Sequence, residues 1–220
     1  MAELENSIDI DLAGFREVVG HPRAHALVLQ QYRIGEYAGV VGLKRLLGEM
    51  QPEGKLHRAM EIHYRDEDRH SRVFTDWIYR LGVEPEPMPT QVESYFSSSP
   101  EEFHRNRELL EQMPPDLRRI VTFAAINALE RLAYNQFETH LLVLDRREDI
   151  ETLESVMAEE KFHLSYIEGE LERAQQGEQA DFVAMALEQA RTRFAEFQEQ
   201  RRHEGREALE TILGAGAGGS

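Results

Sequence analysis

The chain contains no cysteine, which excludes disulfides, thiolate metal sites, iron–sulfur clusters and thiol nucleophiles. Any bound metal must rest on histidine, carboxylate or carbonyl groups. With only 8 prolines in 220 residues, and with 41% hydrophobic and 30% charged residues, a collagen-like or wholly disordered chain is excluded as well. Basic residues are few: 25 Lys and Arg stand against 41 Asp and Glu, a formal charge of −16. That balance repels polyphosphate and anionic lipid, so neither nucleic acid nor a membrane surface is an expected partner. Long hydrophobic runs are also missing. The longest uncharged stretch, 120–129, is about half of what a bilayer span needs. Residues 1–12 are acidic rather than basic and apolar, unlike a signal peptide. A cytoplasmic location is expected.

Strand-like alternation is nearly absent too, and what is present is helical periodicity. The spacing of apolar residues predicts helices over 22–50, 53–81, 115–144, 148–173 and 178–213, each bounded by Pro, Gly or charged turns, with a short helix over 101–113. The fold class is all-α. The links 51–54 and 145–147 are short enough to force antiparallel αα-hairpins. Between these hairpins the proline-rich stretch 82–115 reads as one long crossover, which predicts a ferritin-like four-helix bundle plus an additional C-terminal helix. Residues 1–213 form a single domain on this reading, and 214–220, rich in Gly and Ala, a flexible tail. The C-terminal helix mixes apolar residues such as Phe182 and Met185 with many charges. It would either cover the bundle or mediate a homodimer.

Each bundle helix should carry one apolar stripe at spacings of three and four, and the exceptions within those stripes are informative. Glu36 interrupts the first, Glu67 and His70 the second, Glu130 the third, and Glu160 and His163 the fourth. The arrangement repeats, since Glu36 precedes Glu67-x-x-His70 by 31 residues and Glu130 precedes Glu160-x-x-His163 by 30. Offsets of three place Glu and His on one helix face, where both can reach a point on the bundle axis. Chance alone predicts about one Glu-x-x-His pair in a chain so rich in glutamate. A third instance, Glu101-x-x-His104, has no glutamate at the matching upstream distance and is set aside.

Four inward carboxylates without cations would cost several kcal/mol each, and no Lys or Arg recurs on the stripes apart from the flanking Arg33 and Arg131. Two divalent ions remove the difficulty: they balance the four glutamates, and two neutral imidazoles complete a neutral site. A dinuclear metal centre on Glu36, Glu67, His70, Glu130, Glu160 and His163 is therefore expected. Oxygen and nitrogen ligands with open positions suit Fe(II), so two Fe ions are the first choice, with Mn or a mixed Mn/Fe pair as alternatives.

Over residues 22–173 this pattern resembles the ferritin-like di-iron carboxylate superfamily, in which two helices give a Glu each and two give Glu-x-x-His. The resemblance implies that Glu67 and Glu160 bridge the metals, while Glu36 with His70 and Glu130 with His163 are terminal. In architecture the chain is similar to compact di-iron oxygenases such as the aldehyde-deformylating oxygenases. That likeness implies an O2-activating oxidase or oxygenase. It would act on an organic, apolar or acyl small molecule, with electrons from an external donor such as a ferredoxin or a reductase. The alternative within the superfamily is a ferroxidase or a rubrerythrin-like, peroxide-reducing iron protein. A helical scaffold with merely structural polar residues is the non-enzymatic alternative.

Around the ligands, His63, Asn127 and Tyr134 lie one turn from proposed ligands and are candidates for a supporting layer. His63 also reads as an additional ligand, and its plainer reading is a hydrogen-bonded core histidine. Gly35, Gly39 and Gly42 each cost the first helix about 1 kcal/mol relative to Ala. They read as close helix packing, or alternatively as space for O2 or a substrate.

Overall fold

The computed structural model describes residues 12–90, 92 and 100–216. Seven helices are found there: α1 (Leu12–Gly20), α2 (Pro22–Met50), α3 (Gly54–Arg80), α4 (Pro100–Gln112), α5 (Pro115–Leu141), α6 (Arg147–Gln175) and α7 (Ala180–Gly216). No strand occurs among the described residues, so the class is all-α. None of these helices is long and apolar enough to cross a membrane. The last described turn of α7 runs into the segment expected to be a tail, of which 217–220 lie outside the described residues.

Local chemistry sets the boundaries. Pro22 opens α2, where its missing N–H costs nothing, and the His21 ring accepts the Ala24 N–H at 3.4 Å. Gln51 closes the same helix in the left-handed region at φ 43°, and Gly54 follows at φ 60°, so the chain reverses within three residues. Pro115 opens α5 in the same way as Pro22, and Glu148 with Asp149 place negative charge at the positive end of α6. The helix α1 was not expected from the periodicity. It is nine residues long with only Val18 buried, too little for a stripe to register. Arg16 holds it from outside, donating to Asp145 at 3.1 Å and to the Leu142 carbonyl at 3.2 Å.

The helices pack α2 on α3, α5 on both α6 and α7, and α3 on α6. The crossover begins at Gly82 and stays close to α2: Arg33 donates to the Glu86 carbonyl at 2.7 Å, and buried Val92 packs with Ile34 and Ala38. Residues 91 and 93–99 of that crossover lie outside the described residues. The first part of α7 covers the bundle, burying Val183, Ala186 and Ala190 against Ile120, Phe123 and Ile167.

Two apolar clusters result. One contains Leu29, Phe74, Trp77, Phe137 and Leu153; the other contains Met60, Phe123, Ile167, Leu171 and Val183. Along α3 the order is Met60, then His63, Glu67 and His70, then Phe74 and Trp77. The same alternation of apolar, polar and apolar recurs on α5 and α6. The acids and imidazoles thus form a layer between two dry ones, and each large buried side chain contributes about 1.5–3 kcal/mol towards enclosing it.

A second polar feature lies inside the first apolar cluster. The Nε2 atoms of His25 and His140 are 3.0 Å apart, so one ring must carry the shared proton and the other accept it. Trp77 stacks on His140 at 5.6 Å between centroids. Burial pushes His25 down to about 4, and burial reinforced by the neighbouring His25 pushes His140 down to about 3. The unfolded chain takes up protons at both rings near pH 6.5, whereas the folded chain refuses them until about pH 4. Stability carried by the pair is therefore present above pH 6.5 and lost as pH falls, at about 1.4 kcal/mol per histidine per pH unit. Denaturant titrations between pH 7 and pH 4 should show a steeper loss of stability for the parent than for a His25→Leu, His140→Leu double variant.

Candidate metal centre

Four helices supply the six predicted ligands: Glu36 from α2, Glu67 and His70 from α3, Glu130 from α5, and Glu160 and His163 from α6. All six are buried, the most accessible being Glu130 at 8%. They converge. His70 Nδ1 lies 3.2 Å from Glu36 Oε2 and 3.1 Å from Glu160 Oε1. His163 Nδ1 lies 3.0 Å from Glu160 Oε2 and 3.6 Å from Glu67 Oε1.

The atoms fall into two groups, in each of which one atom per residue lies within 4.8 Å of every other. Glu36, Glu67, His70 and Glu160 make one group; His63, Glu67, Glu130 and His163 make the second. Glu67 belongs to both, and the two oxygens of Glu160 face the two different imidazoles, as a carboxylate spanning two ions requires. His63, read from the sequence as a core histidine, stands among the ligands. Its Nε2 is 3.0 Å from Glu130 Oε1 and 3.2 Å from Glu67 Oε1.

This donor set fits metal ions. Among the described residues no Lys or Arg pairs with any of the four glutamates, whose ion-pair partners there are the histidines. His63 Nε2, Glu67 Oε1 and Glu160 Oε1 are buried without a hydrogen-bond partner, an expensive condition unless something else occupies the space they face. Burial, followed by the charges of Glu36, Glu130 and Glu160, drives the Glu67 carboxyl well above the usual range. Burial and the neighbouring Glu160 raise Glu130 also. For Glu160, burial acts upwards, but the adjoining imidazoles of His163 and His70 hold it below the ordinary value. Against burial, hydrogen bonds to Glu160 and Glu36 lift His70 to about 9, and those to Asp66 and Glu160 lift His163 to about 10. Without metal, protons do the neutralising.

A supporting layer holds the imidazoles by their outer nitrogens. His70 Nε2 meets Glu159 Oε2 at 2.8 Å, and His163 Nε2 meets Asp66 Oδ2 at 3.3 Å. The pairing is crossed, because each acid precedes the ligand glutamate of one helix and binds the histidine of the other. Arg69 in turn pairs with Glu159. A carboxylate behind an imidazole fixes its tautomer, keeps the inward nitrogen free for a metal and raises its basicity. The signal for this layer lay in the sequence as the consecutive acids Asp66-Glu67 and Glu159-Glu160, and its crossing could be seen only in three dimensions.

Other candidates lie elsewhere. Asn127 is buried but donates to Glu168 at 3.4 Å, and Arg131 pairs with the same carboxylate. Tyr134 lines a cleft between α5 and α6, where Lys161 Nζ lies 5.7 Å from its ring centroid. Glu101 and His104 are exposed on α4, away from the centre.

Gly39 acquires its explanation here. A Cβ at this position would overlap Glu67 Oε2 and come within 3.1 Å of Glu67 Cδ, so the glycine makes room for the carboxylate that both groups share. Gly42 has nothing within 4 Å of such a Cβ. Two surface clefts among the described residues are lined by Arg119, Phe123 and Glu170 and by Arg131, Tyr134 and Lys161, without a ligand in either lining. Comparison of the chain with protein-family models, with curated proteins and with solved structures gives no match.

Two outcomes follow from this geometry. Gly39→Ala should leave the helical content unchanged while weakening divalent-metal binding by roughly 10–100-fold, the scale of a disturbed ligand orientation; equilibrium dialysis against Co(II) checks it. Metal must also displace the protons that His70 and His163 hold up to about pH 9 and 10. Apparent affinity should therefore climb from pH 6 to pH 9 by about tenfold per unit for each proton displaced, and calorimetry in buffers of different ionisation enthalpy should detect the released protons.

Proposed function

We propose that the chain is a ferritin-like, non-haem di-iron oxidoreductase that activates O2. The convergence of four carboxylates and three imidazoles in a dry layer, with buried donor atoms left unpartnered, is the observation that carries this reading. Glu67 belongs to both ligand groups and the oxygens of Glu160 face one imidazole of each, which supports a shared role for these two, and the charge of four glutamates matches two divalent ions. Such a rich set of protein ligands keeps metal as a resident cofactor. The donors are all oxygen and imidazole nitrogen, which suits iron, with manganese or a mixed pair as the alternative.

Iron bound there would supply the redox chemistry with O2. The rest falls to the protein. Asp66 and Glu159 hold the protons of His163 and His70 on the outer nitrogens, Nε2, and so present Nδ1 to the centre. The clusters around Phe74 and Phe123 keep bulk water out, which strengthens every electrostatic interaction between them. With no cysteine for an iron–sulfur relay, electrons come from an external donor such as a ferredoxin or a reductase.

For the molecule oxidised, two readings stand. The first is an apolar or acyl organic substrate bound beside the centre. The second, a ferroxidase or peroxide-reducing activity, takes its support from the burial of every ligand, which suits a substrate as small as Fe(II) or H2O2.

Protein produced with ample iron should carry two irons per chain, one for each ligand group. The chemically reduced form should consume O2, and Glu67→Ala and His163→Ala should abolish both properties without unfolding. Repeated oxidation of added Fe(II), or fast peroxide reduction without an organic substrate, selects the second reading over the first. Protein free of transition metal, with both variants as stable as the parent, refutes the proposal in favour of a structural polar core.

A further inference from the structure

We infer that His63 is a seventh protein ligand, bound at the metal position it shares with Glu130 and His163, and that it makes the two positions chemically unequal. The inference deepens the dinuclear reading above and rests on it.

The internal repeat isolates the residue. His63 stands four residues before Glu67, and four residues before Glu160 the equivalent position is Val156, fully buried in the first apolar cluster. One half of the repeat therefore offers an imidazole where the other offers an isopropyl group. His63 is 1% exposed. Its Nε2 lies 3.0 and 3.2 Å from oxygens of Glu130 and Glu67, facing both at once. Donor atoms from three helix positions this close together are arranged like ligands around a common point.

The opposite nitrogen completes the case. His63 Nδ1 lies 2.8 Å from the Tyr166 hydroxyl. All three imidazoles are thus built alike, with one nitrogen facing the centre and the other held from behind, by Glu159 for His70, by Asp66 for His163 and by Tyr166 for His63. A merely space-filling histidine would need neither arrangement. His63 also stacks on His163 at 3.7 Å, which fixes both rings on the same side of the centre.

The consequence is discrimination between metals. The group with His63 presents two imidazoles, whereas the group with Glu36 presents one. Imidazole favours iron, cobalt and zinc, and carboxylate favours manganese and magnesium. The position holding His63 should fill first with Fe(II) or Co(II), and the other should accept Mn(II) more readily.

Anaerobic titration of the full, metal-free chain with Co(II) tests this. The parent should take up two Co(II) in two steps separated by at least about tenfold in affinity. Once loaded, it should show three solvent-exchangeable, hyperfine-shifted imidazole N–H resonances. His63→Val, which copies Val156, should lose one resonance and weaken the tighter step by about 100-fold, and Tyr166→Phe should weaken that step by about tenfold. Only two shifted resonances in the parent, or a folded His63→Val variant with both steps unchanged, overturns the proposal. Should His63→Val not fold, the parent's resonance count and the Tyr166→Phe titration still decide. Fewer than two Co(II) bound by the parent points instead to failure of the dinuclear reading itself.

Discussion

Carboxylates buried in a dry helical interior impose the constraint on which the rest of this structure depends. Each isolated buried ion costs several kcal/mol, and the whole stability of a domain is about 5–15 kcal/mol. Glu36, Glu67, Glu130 and Glu160 are all less than 10% exposed and have no Lys or Arg against them among the described residues. Left charged and uncompensated, they would cost about as much as the fold can supply. Protons relieve the metal-free protein, which is why Glu67 and Glu130 sit above the ordinary carboxylate range and why His70 and His163 hold their protons so firmly. Divalent cations would relieve it better, since each would replace several protons at once and engage the donor atoms that protons leave without partners.

The apolar layers on either side serve the same end. Phe74, Trp77 and Phe137 close one side, and Met60, Phe123 and Ile167 close the other. The crossed pairs Asp66–His163 and Glu159–His70 tie α3 to α6 at the level of the centre. Ligand geometry and helix packing are therefore one problem. A shift of α3 against α6 would break the pairs that orient the imidazoles, and loss of the imidazoles would leave Asp66 and Glu159 without their partners. Gly39 shows how tight the fit is, because even a methyl group on α2 would displace Glu67.

Much of this was legible in the sequence, for a physical reason. Helical periodicity makes an inward acid stand out against its stripe, so Glu36, Glu67, Glu130 and Glu160 were visible as errors in an otherwise apolar pattern. The offset of three marked His70 and His163. The helix boundaries fell within three residues of those observed, because Pro22, Pro115 and the turn at Gln51 punctuate the chain locally. What escaped depends on contacts between segments far apart in the chain. Nothing near His25 announces a partner 115 residues away at His140. Asp66 and Glu159 adjoin Glu67 and Glu160 in the sequence, but only the packing of α3 on α6 brings each to the other helix's histidine. His63 stood out one turn before Glu67, but its contact with Glu130, on another helix, could be seen only once the helices were packed. Tyr134 and Asn127 illustrate the converse: one turn from a ligand in sequence, they face a surface cleft and Glu168 respectively.

The central claim is that a pair of cations neutralises the buried acids, and anomalous diffraction from crystals of the iron- or manganese-loaded protein tests it most directly. Two peaks are predicted among α2, α3, α5 and α6, with Glu67 and Glu160 in contact with both. No peak in that layer, with the glutamates protonated or turned towards solvent, would contradict the account.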